Sequence, residues 1–89
     1  MPETARTRRR SRAVEDIHWG QVGHRIRELR GLYITQAEFA SRVGVSQSFL
    51  STVEHGKVEV GAAILLRISR EFGRSIEWLL TGKEFVPDR

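Results

Sequence analysis

The residues that could do chemistry on another molecule include three histidines and several serines and glutamines, whereas cysteine is absent. His18, His24 and His55 lack the paired spacing of metal ligands, so no metal site is expected. No nucleophile elbow, pair of carboxylates or glycine-rich phosphate loop accompanies the serines. The sequence therefore predicts no catalytic residues, no cofactor and no enzymatic activity.

Arginine is unevenly distributed along a chain whose net charge is +4. Residues 1–13 contain five arginines and one glutamate, whereas residues 14–89 contain ten basic and ten acidic residues. The first segment is polar and has no apolar periodicity, which is typical of a flexible arm. Such an arm suits nucleic-acid phosphates, although it could instead be a lead-in that contacts nothing. Its arginines are Arg6, Arg8, Arg9, Arg10 and Arg12.

The rest of the composition is that of a small globular protein. With 89 residues, 39% hydrophobic and 29% charged, the chain has room for one domain. Its longest apolar stretches, residues 62–66 and 78–80, are far shorter than a membrane span. No apolar run follows the basic residues at the start, so no secretion signal and no membrane partner are expected. We therefore expect a cytoplasmic location.

Apolar residues recur at steps of three or four from residue 14 onwards, which predicts a domain of five short helices over residues 14–82 and a tail over 83–89. The first helix could be capped by Asp16, and Gly20 and Gly23 weaken its beginning. Its apolar face is Trp19, Val22, Ile26, Leu29 and Tyr33. The start and stop residues of the other helices are Thr35 and Gly44, Ser46 and Gly56, Gly61 and Gly73, and Ser75 and Gly82.

The most informative stretch is residues 36–55, QAEFASRVGVSQSFLSTVEH. Two short helices joined by a tight turn need a small residue where they cross, which Ala40 supplies. They also need a residue that tolerates positive φ in the turn, which Gly44 supplies. Val45, Leu50 and Val53 then anchor the second helix of the pair to the core. The pattern is typical of a helix-turn-helix motif.

At this point the sequence resembles the Cro and cI (XRE-like) repressor family. The resemblance covers residues 22–82 through the segments VGHRIRELR, TQAEFA and VGVS and the patterns L-S-x-V-E-x-G and I-E-W-L-L-x-G. It implies an all-α, compact five-helix bundle of the lambda-repressor-like type. It also implies a bacterial or phage-derived regulator of transcription, acting as a repressor, that binds double-stranded DNA as a homodimer.

The resemblance also implies which residues touch DNA. The helix that starts after Ser46 is similar to the recognition helix, so Gln47 and Ser48 would meet base edges first, with Ser51 and Thr52 as second-rank contacts. The expected phosphate contacts are Gln36, Ser46 and Lys57.

Three departures from the family pattern bear on these roles. The connection from Leu29 to Gln36 is one residue shorter than usual, so distortion is expected at the end of the first helix. In the loop after the third helix Glu59 would repel phosphate, which leaves Lys57 as the one contact there. Gly61 stands where relatives often have proline.

Two further residues have roles that the resemblance suggests. Glu54 matches an acidic residue that pairs with an arginine near the end of the first helix, here Arg30 or, because of the shortened connection, Arg27. Phe49 lies beside the reading face, where it could pack on a thymine methyl group or a sugar edge, or could fold back onto the helix surface.

The remaining prominent side chains are expected to be structural. The aromatic residues Trp19, Trp78, Phe39 and Phe72 should pack in the core, and Arg42, Arg67, Arg70 and Arg74 should lie on solvated helix faces. The dimer surface is expected in the fifth helix and tail, residues 78–87. A competing hypothesis is a protein-interaction module, such as an antitoxin that masks a toxin or a partner of another co-regulator.

Overall fold

Five helices joined by short connections make up the computed structural model, which describes residues 16–84. They are α1 (Trp19–Arg30), α2 (Gln36–Val43), α3 (Gln47–Glu54), α4 (Ala62–Phe72) and α5 (Ile76–Thr81). No strand occurs among these residues, and the predicted all-α five-helix bundle is confirmed. The arm over residues 1–13 and residues 85–89 of the tail lie outside the described residues.

Three of the predicted helix starts carry a hydroxyl cap. The side-chain oxygen of Thr35 accepts from Glu38 N over 3.0 Å, and that of Ser46 accepts from Phe49 N over 3.0 Å. Ser75 Oγ accepts from the backbone N–H of the third residue of α5 over 2.9 Å. Each bond satisfies a backbone N–H that has no partner within its helix, so these short helices begin where the sequence predicts.

The two ends of α1 differ from the prediction. Its N-cap is His18, which makes no side-chain cap hydrogen bond, so the expected cap at Asp16 is wrong. The helix ends at Arg30, because Gly31 adopts φ = +62° and turns the chain away. Tyr33 is therefore not part of the apolar face of α1, and its side chain is 94% exposed. The apolar spacing continued past the point where glycine stops the helix.

Aromatic stacking joins α2 to α4. The rings of Phe39 and Phe72 lie 4.5 Å apart at an interplanar angle of 6°. Trp19 and Trp78 are partly buried and pack against the same core, so the expected packing role of all four aromatic residues is confirmed. The buried apolar core consists of Val22, Ile26, Phe39, Ala40, Val43, Leu50, Val53, Val60, Leu65, Ile68 and Leu79. All five helices contribute to it.

A glycine allows α1 to approach α3 closely. Gly23 is buried in α1, and a Cβ added there would collide with the backbone oxygen of Val53 and lie 2.9 Å from that of Glu54. The residue that weakens α1 as an isolated helix therefore brings it against the last turn of α3. This approach positions the C-terminal end of the motif.

Arginine side chains hold α5 in place. Arg25, on α1, donates to the carbonyl oxygens of Leu79 and Leu80 over 3.0 and 3.1 Å, where the end of a helix leaves carbonyls without partners. Arg74 lies 3.6 Å from the centre of the Trp78 ring and is half-buried. The expectation that Arg74 lies on a solvated face is therefore wrong, because a planar guanidinium stacks on an aromatic face.

Candidate DNA-binding site

The turn between α2 and α3 sets the angle at which α3 leaves the core. Gly44 follows α2 with φ = +81°, a region of backbone conformation that favours glycine. The N–H of Val45 donates to Ala40 O over 3.0 Å, and the half-buried Val45 packs against the core. Ser46 then begins α3 as its N-cap. The tight turn predicted from Ala40 and Gly44 is therefore confirmed.

The face of α3 opposite Leu50 and Val53 is polar. Gln47 and Ser48, in its first turn, are exposed, whereas the side chains one turn later, Ser51 and Thr52, are half-buried. The hydroxyl of Thr52 donates to Ser48 O over 3.0 Å, so its one proton is already in use.

This difference in exposure ranks the four side chains as candidates for contact with another molecule. Gln47 and Ser48 present hydrogen-bonding groups to a molecule that approaches the start of α3. Ser51 and Thr52 are less accessible, in agreement with their expected second rank.

Gln36 connects α2 to both ends of α3. Its side-chain Nε2 donates to Glu54 Oε1 over 3.1 Å, and its Oε1 accepts from Gln47 Nε2 over 3.3 Å. Since an amide nitrogen carries two protons, the second N–H of Gln36 has no partner among these bonds. The residue expected to hold a phosphate thus lies against the residue expected to read a base. Sequence spacing alone did not indicate this link, because Gln36 and Gln47 lie on different helices.

Arg30 and Glu54 form a buried ion pair at the base of the motif. Arg30 Nε and Nη2 each donate over 2.9 Å, to Glu54 Oε2 and Oε1 respectively. The side chains are 17% and 4% exposed. Hydrogen bonding to Glu54 raises the pKa of Arg30 above its ordinary value and outweighs burial, which lowers it. Of the two partners left open by the sequence, Glu54 pairs with Arg30, while Arg27 is exposed.

The segment after α3 contains one basic and one acidic exposed side chain. Lys57 and Glu59 are both exposed. Phe49 is half-buried and packs against the core, which corresponds to the second of the two placements considered for it. Gly61 is the N-cap of α4 and makes no side-chain bond. The predicted phosphate contacts Gln36, Ser46 and Lys57 thus lie near the ends of α2 and α3.

Histidine side chains make local contacts in the described part of the chain. His55 Nδ1 lies 2.7 Å from Ser51 O, and His24 Nε2 lies 3.5 Å from Glu28 Oε2. Within residues 16–84 no group of three or more histidine, aspartate or glutamate side chains could hold a metal ion. None of the helices in this range is long and apolar enough to cross a membrane.

Comparison with known proteins gives a family match over most of the folded region. A family model described as helix-turn-helix matches residues 25–79. A propionyl-CoA carboxylase regulator of Cereibacter sphaeroides is 37% identical over 63 residues, which cover 70% of this chain. The chain spans only 14% of the length of that curated relative.

Solved structures of gene regulators share the fold. The P22 c2 repressor protein, solved in complex with a synthetic operator, is 36% identical with a TM-score of 0.65, covering 70% of this chain and 96% of that one. The restriction-modification controller protein C.AhdI of Aeromonas hydrophila is 25% identical with a TM-score of 0.63 and the same coverage. The clp gene regulator ClgR of C. glutamicum is 27% identical with a TM-score of 0.62, covering 73% of this chain and 86% of that one. The chain therefore belongs to the helix-turn-helix family of DNA-binding transcriptional regulators, of the Cro and cI type.

Proposed function

We propose that this protein represses transcription by binding a specific double-stranded DNA sequence, with α3 placed in the major groove. The observation that carries the proposal is the polar first turn of α3, where Gln47 and Ser48 are exposed while Leu50 and Val53 fasten the opposite face to the core. A helix mounted in this way can enter a groove without disturbing the fold. The likeness to a repressor solved with its operator supports this docking.

Base reading is assigned to four side chains. Gln47 can bond adenine at N6 and N7, and Ser48 is short and can donate or accept. Ser51 and Thr52 are placed deeper along α3 and serve as second-rank contacts, with Thr52 acting only as an acceptor while its hydroxyl bonds Ser48 O.

Phosphate binding is assigned to the helix starts and to one lysine. The first backbone N–H groups of α2, together with the second side-chain N–H of Gln36, are donors that suit an anion at a helix N-terminus. Ser46, at the start of α3, and Lys57, in the following loop, extend this contact. The arginines of the arm over residues 1–13 are proposed to add phosphate or minor-groove contacts.

A homodimer is proposed as the active form. One recognition helix reads only a few base pairs, so two copies on neighbouring half-sites would provide the discrimination a repressor needs. We place the dimer surface in α5 and the tail. The cytoplasm is the proposed location, because that is where a bacterial or phage regulator meets its DNA.

A role as an antitoxin or another protein-interaction module is not favoured, because the relatives found are gene regulators. Enzymatic activity forms no part of the proposal. The neutral charge balance of residues 14–89 still makes DNA binding the property to test first.

The test is selection from a random double-stranded DNA library with the purified chain, followed by titration of the selected duplex and a shuffled duplex at one salt concentration. We expect a two-fold symmetric consensus, and about 10³-fold or tighter binding to the selected duplex than to the shuffled one. Equal affinity for the two duplexes would contradict sequence-specific binding. A selected site without symmetry would contradict the dimer alone.

A further inference from the structure

The side chains of Glu54, Gln36 and Gln47 form one chain of hydrogen bonds from the interior to the tip of α3. Gln36 Nε2 donates to Glu54 Oε1 over 3.1 Å, and Gln47 Nε2 donates to Gln36 Oε1 over 3.3 Å. Glu54 is 4% exposed, whereas Gln47 is exposed. The chain therefore connects a residue that DNA cannot reach to one that DNA would meet first.

The direction of every bond in this chain follows from its buried end. An ionised carboxylate can only accept hydrogen bonds, so only the nitrogen end of the Gln36 amide can face Glu54. The oxygen end of Gln36 must then face Gln47, and an oxygen accepts only from the nitrogen end of the Gln47 amide. One carboxylate thus sets the orientation of two amides, each of which could otherwise rotate by half a turn.

Glu54 is well suited to impose this direction. Arg30 donates to both of its oxygens over 2.9 Å, which holds the carboxylate in place and favours its ionised form. Glu54 Oε1 accepts from Arg30 and from Gln36 at once. A protonated or rotated carboxyl group would lose one of these bonds inside the protein, where an unmet donor is costly.

The orientation of Gln47 decides which purine it can read. With one N–H held by Gln36, Gln47 keeps its oxygen and its other N–H free, which is the acceptor and donor pair that adenine N6 and N7 require. With the amide reversed, Gln47 would present two N–H donors, which suit the two acceptors of guanine, N7 and O6.

We propose that Glu54 is a specificity-determining positioning residue, which selects adenine over guanine at the base pair read by Gln47 by fixing the orientation of the Gln36 and Gln47 amides. This inference rests on the proposed function, in that it assumes Gln47 reads a base. It adds a determinant of sequence preference that lies beneath the DNA-binding surface and does not touch DNA.

The test compares base preference in variants that differ in whether the carboxylate is present. The base pair read by Gln47 is first identified as the one whose discrimination disappears in Gln47→Ala. Affinities are then measured for duplexes with adenine or guanine at that position. In the parent protein we expect adenine to be preferred by about 5- to 150-fold, the range for one good two-point contact.

In the Arg30→Met/Glu54→Met double variant the carboxylate and its partner are removed together, which is compatible with folding because an apolar pair replaces a buried ion pair. We expect its preference for adenine over guanine to fall by about fivefold or more. Gln36→Met provides a second variant in which the Arg30–Glu54 pair stays intact, and it should show the same fall in the ratio. Arg30→Lys is the matched control, because it disturbs the pair but keeps the carboxylate charged, and its ratio should be unchanged.

The possible outcomes separate this inference from the proposed function. A parent protein without any sequence preference would overturn both. A parent that prefers guanine at the Gln47-dependent position, a Gln47→Ala variant that keeps every base preference, or an unchanged adenine-to-guanine ratio in Gln36→Met would overturn the role of Glu54 while leaving specific DNA binding in place.

Discussion

Arg30, the last residue of α1, donates two hydrogen bonds of 2.9 Å to Glu54, the last residue of α3. The pair ties the ends of two helices that are separated by 24 positions in the chain. Because Glu54 also accepts from Gln36, the same carboxylate connects α1, α2 and α3. The orientation of the helix-turn-helix motif on the core therefore depends on this side chain.

Removing Glu54 alone should destabilise the fold strongly. In Glu54→Ala the Arg30 guanidinium, 17% exposed, would lose its partner in a mostly buried position. We expect the free energy of unfolding to fall by about 3–5 kcal/mol, as found when one member of a buried ion pair is deleted. Urea denaturation followed by circular dichroism measures the change.

The exposed pair of Glu38 and Arg42 on α2 is a matched control. Its N–O distance is 3.0 Å, but the side chains are 49% and 42% exposed. Glu38→Ala should therefore cost under about 1 kcal/mol. A double-mutant cycle that finds no coupling between Glu54 and Arg30 would contradict the structural role of the buried pair.

Two glycines of α1 should respond in opposite ways to alanine. At Gly23 a methyl group would collide with the backbone of α3, so Gly23→Ala should lower the free energy of unfolding by about 1–3 kcal/mol or more. At Gly20 an added Cβ has no neighbour within 4 Å. Gly20→Ala should raise stability by up to about 1 kcal/mol, because alanine favours the helix. Thermal unfolding of the two variants provides the comparison, and equal effects would show that α1 does not need the close approach at Gly23.

Local chemistry explains why most of the fold could be predicted from the sequence. Hydroxyl residues such as Thr35 and Ser46 bond their own helix starts, and Gly44 permits the turn, so these features depend on neighbours within a few positions. The end of α1 could not be predicted in the same way. Apolar spacing continued to Tyr33, whereas the conformation of Gly31 ended the helix at Arg30.

Contacts between helices explain what the sequence left open at the site. The choice of Arg30 over Arg27 depends on how α1 rotates against α3, and the bond between Gln36 and Gln47 depends on the geometry of the turn. Arg74 was expected to be solvated because its neighbours are polar, but the ring that it stacks on is brought beside it by α5. Such pairings are set by packing and not by spacing along the chain.

The arginines of residues 1–13 should add affinity without adding specificity. Deleting this arm is expected to weaken binding to every DNA sequence and to leave the selected consensus the same. For every phosphate that the arm would otherwise neutralise, the slope of log affinity against log salt should fall by about 0.9, and with some of the five arginines engaged we expect a fall of roughly 2 to 4. Titrations at several salt concentrations measure the slope. An unchanged slope would exclude a role for the arm in binding.

The central claim is that the first turn of α3 reads bases, and the most direct measurement is the affinity of Gln47→Ala and Ser48→Ala for the selected duplex and for its single-base-pair variants. We predict a loss of about 1–3 kcal/mol on the selected duplex for each substitution, with binding to random DNA nearly unchanged. The loss should be confined to the base pair that each side chain contacts, because base contacts specify and phosphate contacts position. If both substitutions weakened the selected duplex, all of its variants and random DNA to the same extent, the assignment of α3 as the recognition helix would be contradicted.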